Sequence, residues 1–152
     1  MLNAPIHTIM TRDLVTLGPE GTLGQAREIF LVKRIHHLPI VEGKKLVGLV
    51  TAWDIFKTGK SAEEYGNMKV TEIMTRKIAT LEPEDHIGAI AEVLMAHLFH
   101  AVPIVNADHE LVGMVTSYDL LKIEYEKEYP EDLSPFVIEN MWGGMEFLQG
   151  MK

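Results

Sequence analysis

The chain contains no cysteine. That excludes a disulfide scaffold, a thiolate metal site and a cysteine nucleophile, and it fits a reducing compartment. No run of about 18 consecutive apolar residues occurs, so no transmembrane helix is expected. The opening MLNAPIHTIMTRDL lacks the basic region and apolar stretch of a secretion signal, which makes cytoplasm the expected location. Cations are in the minority, with 14 Lys and Arg against 22 Asp and Glu and a formal charge of -8. Such a field disfavours nucleic acid and anionic membranes as partners while leaving room for a local cationic pocket. Charged residues make up 24% and hydrophobic residues 47% of the 152, an ordinary globular balance that supports a real core.

Signs of catalysis are equally sparse. Ser117 has no G-x-S-x-G context, and no Ser stands in a readable His and Asp arrangement. Of the seven His, His97 and His100 are spaced i, i+3 and His36 and His37 are adjacent, but neither pair has a Glu-x-x-His pattern or a cysteine to complete a metal site. The expectation is therefore no enzyme, no catalytic residue and no protein-held metal.

What the chain does have is a repeat. LVGLVTAWDIF at Leu46 to Phe56 returns as LVGMVTSYDLL at Leu111 to Leu121. Met10-Thr11 matches Met74-Thr75, Thr16-Leu17 matches Thr80-Leu81, and Pro39-Ile40-Val41 matches Pro103-Ile104-Val105, always 64 residues apart. The spacing becomes 65 at Gly48 and Gly113, which places one extra residue in the second copy's last turn. Repetition at this scale settles the architecture before individual elements are assigned.

Each copy predicts the same order. DLVTL at Asp13 to Leu17 reads as a short strand stopped by Gly18-Pro19. Thr22 caps a long helix with Gln25 completing a capping box, and Leu23, Ala26, Ile29, Phe30 and the Lys33 stem share one face. His37 to Val41 and Leu46 to Val50 are strands around the turn Glu42 to Lys45, and a short helix starts near Thr51. Ala62 to Met68 is a connector with some helical character. In the second copy Lys69 to Met74 is a short helical entry and Ile78 to Leu81 a strand. Asp85 to about Leu98 is the long helix, with Asp85 as cap and Gly88 at the place of Gln25. Ala101 to Val105 and Leu111 to Val115 are strands around the turn Asn106 to Glu110. A single unit leaves apolar strand surface uncovered, so two units packed face to face around a pseudo-twofold axis are expected, with two equivalent clefts at their junction.

The resulting fold class is α/β (α+β), two repeats of a small sheet packed with helices. The segments are 1–60 for the first repeat, 61–71 for a connector, 72–123 for the second repeat, and 124–152 for an acidic and then apolar extension. The helix opened at Asp119 should run solvent-exposed to about Tyr129, and Ser134-Pro135 should open another through Met141. The apolar side chains between Asp132 and Lys152 need cover, either on the body, on a second subunit or on another protein. A homodimer is expected for the same reason.

The two T-x-x-D pairs, Thr51 with Asp54 and Thr116 with Asp119, admit two readings. The plain one is a helix cap. The functional one is a hydroxyl and a carboxylate at the mouth of an inter-repeat cleft, suited to the cis-diol of a ribose, beside N–H groups that accept an anion.

These marks together resemble a tandem pair of CBS domains, the regulatory module named for cystathionine beta-synthase. The Met-Thr lead-ins, HHLPIV and HAVPIV, and the endings GLVTAWD and GMVTSYD carry the resemblance over residues 8 to 57 and 72 to 122. It implies a stand-alone regulatory pair that binds an adenosine-containing ligand such as AMP, ADP, ATP or S-adenosylmethionine in one or both clefts and acts on a protein partner. Magnesium would enter only with a polyphosphate. On this likeness Asp54 and Asp119 are similar to ribose-binding aspartates, with Thr51 and Thr116 beside ribose or phosphate. Thr16 and Thr80, preceded by Leu14-Val15 and Ile78-Ala79, match the edge that lines the base pocket, and Pro39 and Pro103 end strands of its wall. For phosphate the candidates are Arg12 and Arg76, Arg34 with Lys33 (matched by Leu98 and His97), and His36 and His100. Surface salt bridges remain the other reading of Arg12 and Arg76. The alternative function is a structural or protein-interaction module with empty or vestigial clefts.

Overall fold

The computed structural model describes residues 1–97 and 99–130. The first repeat contains helix α1 (Leu23–Lys33), strands β1 (His37–Glu42) and β2 (Lys45–Thr51) and helix α2 (Ala52–Lys57). A short helix α3 (Ala62–Tyr65) occupies the connector. The second repeat follows with α4 (Ile87–His97), β3 (Ala101–Val105), β4 (Leu111–Thr116) and α5 (Ser117–Glu128). Short 3-10 turns, Ile6–Thr8 and Val70–Glu72, lead into the two repeats. The expected tail helix, the cover of the apolar tail and the matching of Arg34 by Leu98 lie outside the described residues.

Local chemistry sets most boundaries as the sequence predicts. Thr22 Oγ1 accepts from Gln25 N–H at 3.2 Å while Gln25 Oε1 accepts from Thr22 N–H at 2.9 Å, which closes the capping box of α1. The helix stops where Arg34 turns left-handed at φ 55°. β1 and β2 pair antiparallel with a bulge opposite Ile40 and Val41, and β3 and β4 repeat that bulge opposite Ile104 and Val105. The extra residue of the second copy therefore lies in the turn. The first turn relies on Gly43 at φ 63°, whereas the second is tied by Asn106 Oδ1, which accepts from Asp108 and Glu110 N–H, with His109 at φ 60°.

Two expectations are corrected. Asp13 to Leu17 and Ile78 to Leu81 are not strands; each contributes a single parallel bridge, Leu17 to Ile40 and Leu81 to Ile104. Leu17 N–H donates to Pro39 O and Val41 N–H to Leu17 O, and Leu81 repeats this with Pro103 O and Val105 N–H. The next rung back would need an N–H from Pro39 or Pro103, which proline lacks, so the ladder ends there. Nor does Asp85 cap α4. It closes the preceding turn by accepting from Glu82 N–H at 2.8 Å, and His86 is the residue before the helix. The counterpart of Gln25 is accordingly Ala89, not Gly88, and no capping glutamine is available.

The two repeats complete one another. Residues leading into the first repeat dock on the second: Pro5 bridges His86, Ile6 N–H donates to Asp85 O, and Ile87 N–H donates to Ala4 O. Residues leading into the second dock on the first in the same way, with Lys69 bridging Thr22 and Leu23 N–H donating to Met68 O. Thr11 then pairs with Met114 on β4, and Thr75 with Leu49 on β2, each through two backbone hydrogen bonds of 2.9–3.0 Å. Tyr65, Val70 and Met74 join Leu23, Leu38, Ile40 and Val50 in one buried cluster. Gly48 and Gly113 make the pairing fit, because a Cβ at either would run into the side chain of Met74 or Met10.

Of the segment from Tyr118 on, which forms its own compact unit, the described part is the body of α5 and the two residues after it. None of the residues of α5 is buried, and it carries Lys122–Glu126 and Lys127–Glu124 ion pairs along its surface, which accords with the expected exposed helix.

At the start of β1, burial pushes the His37 imidazole below its ordinary value; charge on His100 and His36 adds to this and Asp54 opposes it. A histidine depressed in the folded state binds fewer protons than in the unfolded chain. Its stabilising contribution is thus fully present above the unfolded value of about 6.5 and is lost as pH falls through the lower folded value. Melting temperature should drop between about pH 7.5 and about pH 5.5, and His37→Gln should flatten that drop; parallel curves for the two proteins would contradict the assignment. Gly48→Ala and Gly113→Ala should each cost about 1–3 kcal/mol in urea unfolding, the range for overpacking. A loss below about 0.5 kcal/mol would show that the methionine side chains simply step aside.

Candidate ligand-binding cleft

Where Pro39 and Pro103 end the ladder, Val15 and Ala79 are left outside it. At Ala79 this coincides with a cavity of about 550 Å³, a size that suits a small-molecule ligand. Both repeats contribute to its wall. Thr75, Lys77, Ile78 and Ala79 come from the second lead-in, Phe99, His100 and Ala101 from the approach to β3 and its first residue, and Leu49, Thr51, Ala52 and Trp53 from the β2–α2 junction. His36 and His37 complete the lining. The reciprocal pairing explains the juxtaposition, since the Leu49–Thr75 bridge holds the second lead-in against the end of β2.

The Thr51–Asp54 pair has the predicted cap geometry. Thr51 Oγ1 accepts from Asp54 N–H at 3.1 Å, and Asp54 Oδ2 accepts from Thr51 N–H at 2.8 Å. Asp54 Oδ1 lies 3.1 Å from Lys57 Nζ, and its side chain is 12% exposed. Thr51 therefore faces the cavity while Asp54 stands one helical turn on, holding it. In the second copy Thr116 ends β4 and Asp119 stands in the first turn of α5. Ser117 N–H donates to His100 O at 3.0 Å, which ties the end of β4 to a residue of the cavity wall.

Of the residues chosen from sequence, Thr51, Ile78, Ala79, His36 and His100 line this cavity. Thr16, Val15 and Pro39 belong to the matched region of the first repeat, and Thr80 and Pro103 flank the Ala79 edge without lining it. The arginines do something else. Arg12 Nη2 donates to His7 O at 3.0 Å and Arg76 Nη2 to Thr71 O at 3.3 Å, so each pins the 3-10 turn of its own lead-in. Arg34 is exposed at the end of α1, as is Lys33. Among the described residues no group of three or more His, Cys, Asp or Glu is arranged to hold a metal ion.

Lys77, Trp53 and Phe99 line the cavity and were not singled out from sequence, nor was His37 as a wall residue. Lys77 was findable, as the residue just before the Ile78-Ala79 edge and the one place where the two lead-ins oppose in charge, with Asp13 as its counterpart. Trp53 lies inside the T-x-x-D element itself. Phe99 has Ile35 as its counterpart and gave no signal. Trp53 stacks on Phe56 at 5.2 Å, and the pair is 62% and 72% exposed.

Comparison with known proteins agrees with this architecture. A family model described as CBS domain matches residues 6–60 and 70–126. The solved CBS domain pair of protein MJ0100, in complex with 5'-methylthioadenosine and S-adenosyl-L-methionine, is 30% identical with a TM-score of 0.72, covering 82% of this chain and 98% of that one. A putative acetoin utilization protein (AcuB) from Vibrio cholerae is 28% identical with a TM-score of 0.75, covering 86% of this chain and 98% of its own. Among curated proteins, a homoserine O-acetyltransferase of Methanohalobium evestigatum is 35% identical over 119 residues, 78% of this chain and 24% of that protein. An inosine-5'-monophosphate dehydrogenase of Korarchaeum cryptofilum is 30% identical over 124 residues, again 24% of its length. The chain thus spans about a quarter of these enzymes, and the likeness is to that part of each. With both copies matched in sequence and the pair matched in three dimensions, the chain belongs to the CBS domain family.

Proposed function

We propose that this chain is a regulatory module that senses an adenosyl ligand in the inter-repeat cleft. The observation that carries the reading is the Ala79 edge, excluded from its sheet by Pro103 and facing a cavity walled by both repeats. Backbone groups at such an edge suit a flat heteroaromatic base, and Phe99 and Trp53 offer stacking surface. The MJ0100 pair, bound to two adenosyl compounds, supports the ligand class. Asp54 and Asp119 are the proposed ribose partners, with Thr51 and Thr116 beside them. In Asp54 one oxygen serves the Thr51 N–H and the other could exchange Lys57 for a ribose hydroxyl.

A ligand touching both walls binds best at one relative setting of the repeats, so occupancy shifts the population toward it. Trp53 offers a route outward, because it lines the cleft and stacks on exposed Phe56. A second reading, an interaction module with unused clefts, draws on the exposed Trp53, Phe56, Leu31 and Val32. Those side chains also support the proposed homodimer. The nucleotide candidates remain AMP, ADP and ATP, with magnesium only as companion to a polyphosphate, and the proposed setting is cytoplasmic.

Calorimetry with AMP, ATP and S-adenosylmethionine should show saturable binding of at least one, and Asp54→Ala or Asp119→Ala should weaken it about tenfold or more, the scale of a lost charged hydrogen bond. Loss of only about 1 kcal/mol of capping stability, with no binding to lose, would favour the interaction module. Sedimentation equilibrium should report a dimer that Trp53→Ser with Phe56→Ser weakens. A monomer at all concentrations would remove the dimer from the proposal.

A further inference from the structure

The charge balance of the cavity lining is opposite to that of the chain as a whole. The chain carries a formal -8, yet the described residues lining the cavity include Lys77, His36, His37 and His100 and no carboxylate. Lys77 is exposed at the wall and has no ion pair among the described residues. Its neighbours are committed elsewhere, Arg76 to the Thr71 carbonyl and the Thr75 backbone to Leu49. In the first repeat the matched position is Asp13, so the same backbone position carries the opposite charge in the other lead-in.

We propose that this cleft is selective for a phosphate-bearing adenosyl ligand and that Lys77 is the residue that sets the selectivity. The inference rests on the adenosyl reading for the base and sugar, and adds the charge of the remaining part. A lysine in a partly enclosed wall attracts a phosphate more strongly than it would in open water, and it repels a sulfonium cation by the same field. The neighbouring imidazoles supply further donors. Asp13 works the other way at the matched place, so one phosphate ligand per chain is expected rather than two.

Titration calorimetry of the full chain with AMP, adenosine, S-adenosylmethionine and pyrophosphate tests this. AMP should bind about tenfold or more tightly than adenosine, with one site per chain. Lys77→Met should weaken AMP about tenfold while leaving adenosine within about twofold, and Lys77→Glu should shift preference toward S-adenosylmethionine. Unchanged melting of these surface variants confirms that folding is intact. If AMP and adenosine bind equally well to wild type and Lys77→Met, the charge selectivity is overturned while the adenosyl reading stands. If pyrophosphate binds in a Lys77-dependent way and neither AMP nor adenosine does, the anion site stands and the adenosyl reading falls. Two equal AMP sites per chain, or no binding of any probe, would overturn the proposal.

Discussion

Everything in the described fold depends on one exchange made twice: the Met-Thr segment before each repeat adds to the last strand of the other. Two backbone hydrogen bonds fix it on each side, Thr11 with Met114 and Thr75 with Leu49. A two-stranded sheet by itself is marginal in water, so each hairpin gains an edge and a cover from its twin. The glycine in each G-h-h-T element follows from this, because the incoming methionine occupies the volume where a side chain would stand. The same exchange brings the second lead-in beside the β2–α2 junction, which is what makes a cavity wall out of residues far apart in sequence.

The proline in the H-x-P motif has an equally direct physical role. Pro39 and Pro103 accept a hydrogen bond through their carbonyls and cannot donate the one that the next rung requires. The result is a sheet edge that is interrupted by covalent chemistry rather than by solvent competition. An interrupted edge next to a cavity keeps backbone groups available for a ligand without exposing a long strand to other chains.

Most of the fold was legible because it is written twice. Thr22 and Gln25, Thr51 and Asp54, and the one-residue difference between turns all read through to the structure. What failed was local propensity where tertiary demands won. DLVTL has the composition of a strand, but a proline on the neighbouring strand removes its partner. Asp85 has the identity of a cap, but the preceding turn uses it first. For the cleft, the repeat pointed to Thr51, Ala79, His36 and His100 through matched motif positions. It was less informative about Lys77 and Phe99, which line the wall but differ from their counterparts Asp13 and Ile35. The symmetry of Arg12 and Arg76 has a visible structural counterpart, a shared hydrogen bond to a backbone carbonyl of each lead-in.

The reciprocal lead-ins also bear on how such a chain can arise and be rearranged. Since each repeat is finished by a segment that precedes the other, the information for one complete half is spread across the whole length. A single unit with its lead-in carries both halves of the docking contact, the segment that is added and the strand that receives it. The covalent link through Thr58 to Ser61, whose hydrogen bonds close the end of α2 and cap α3, then raises the effective concentration of one half for the other.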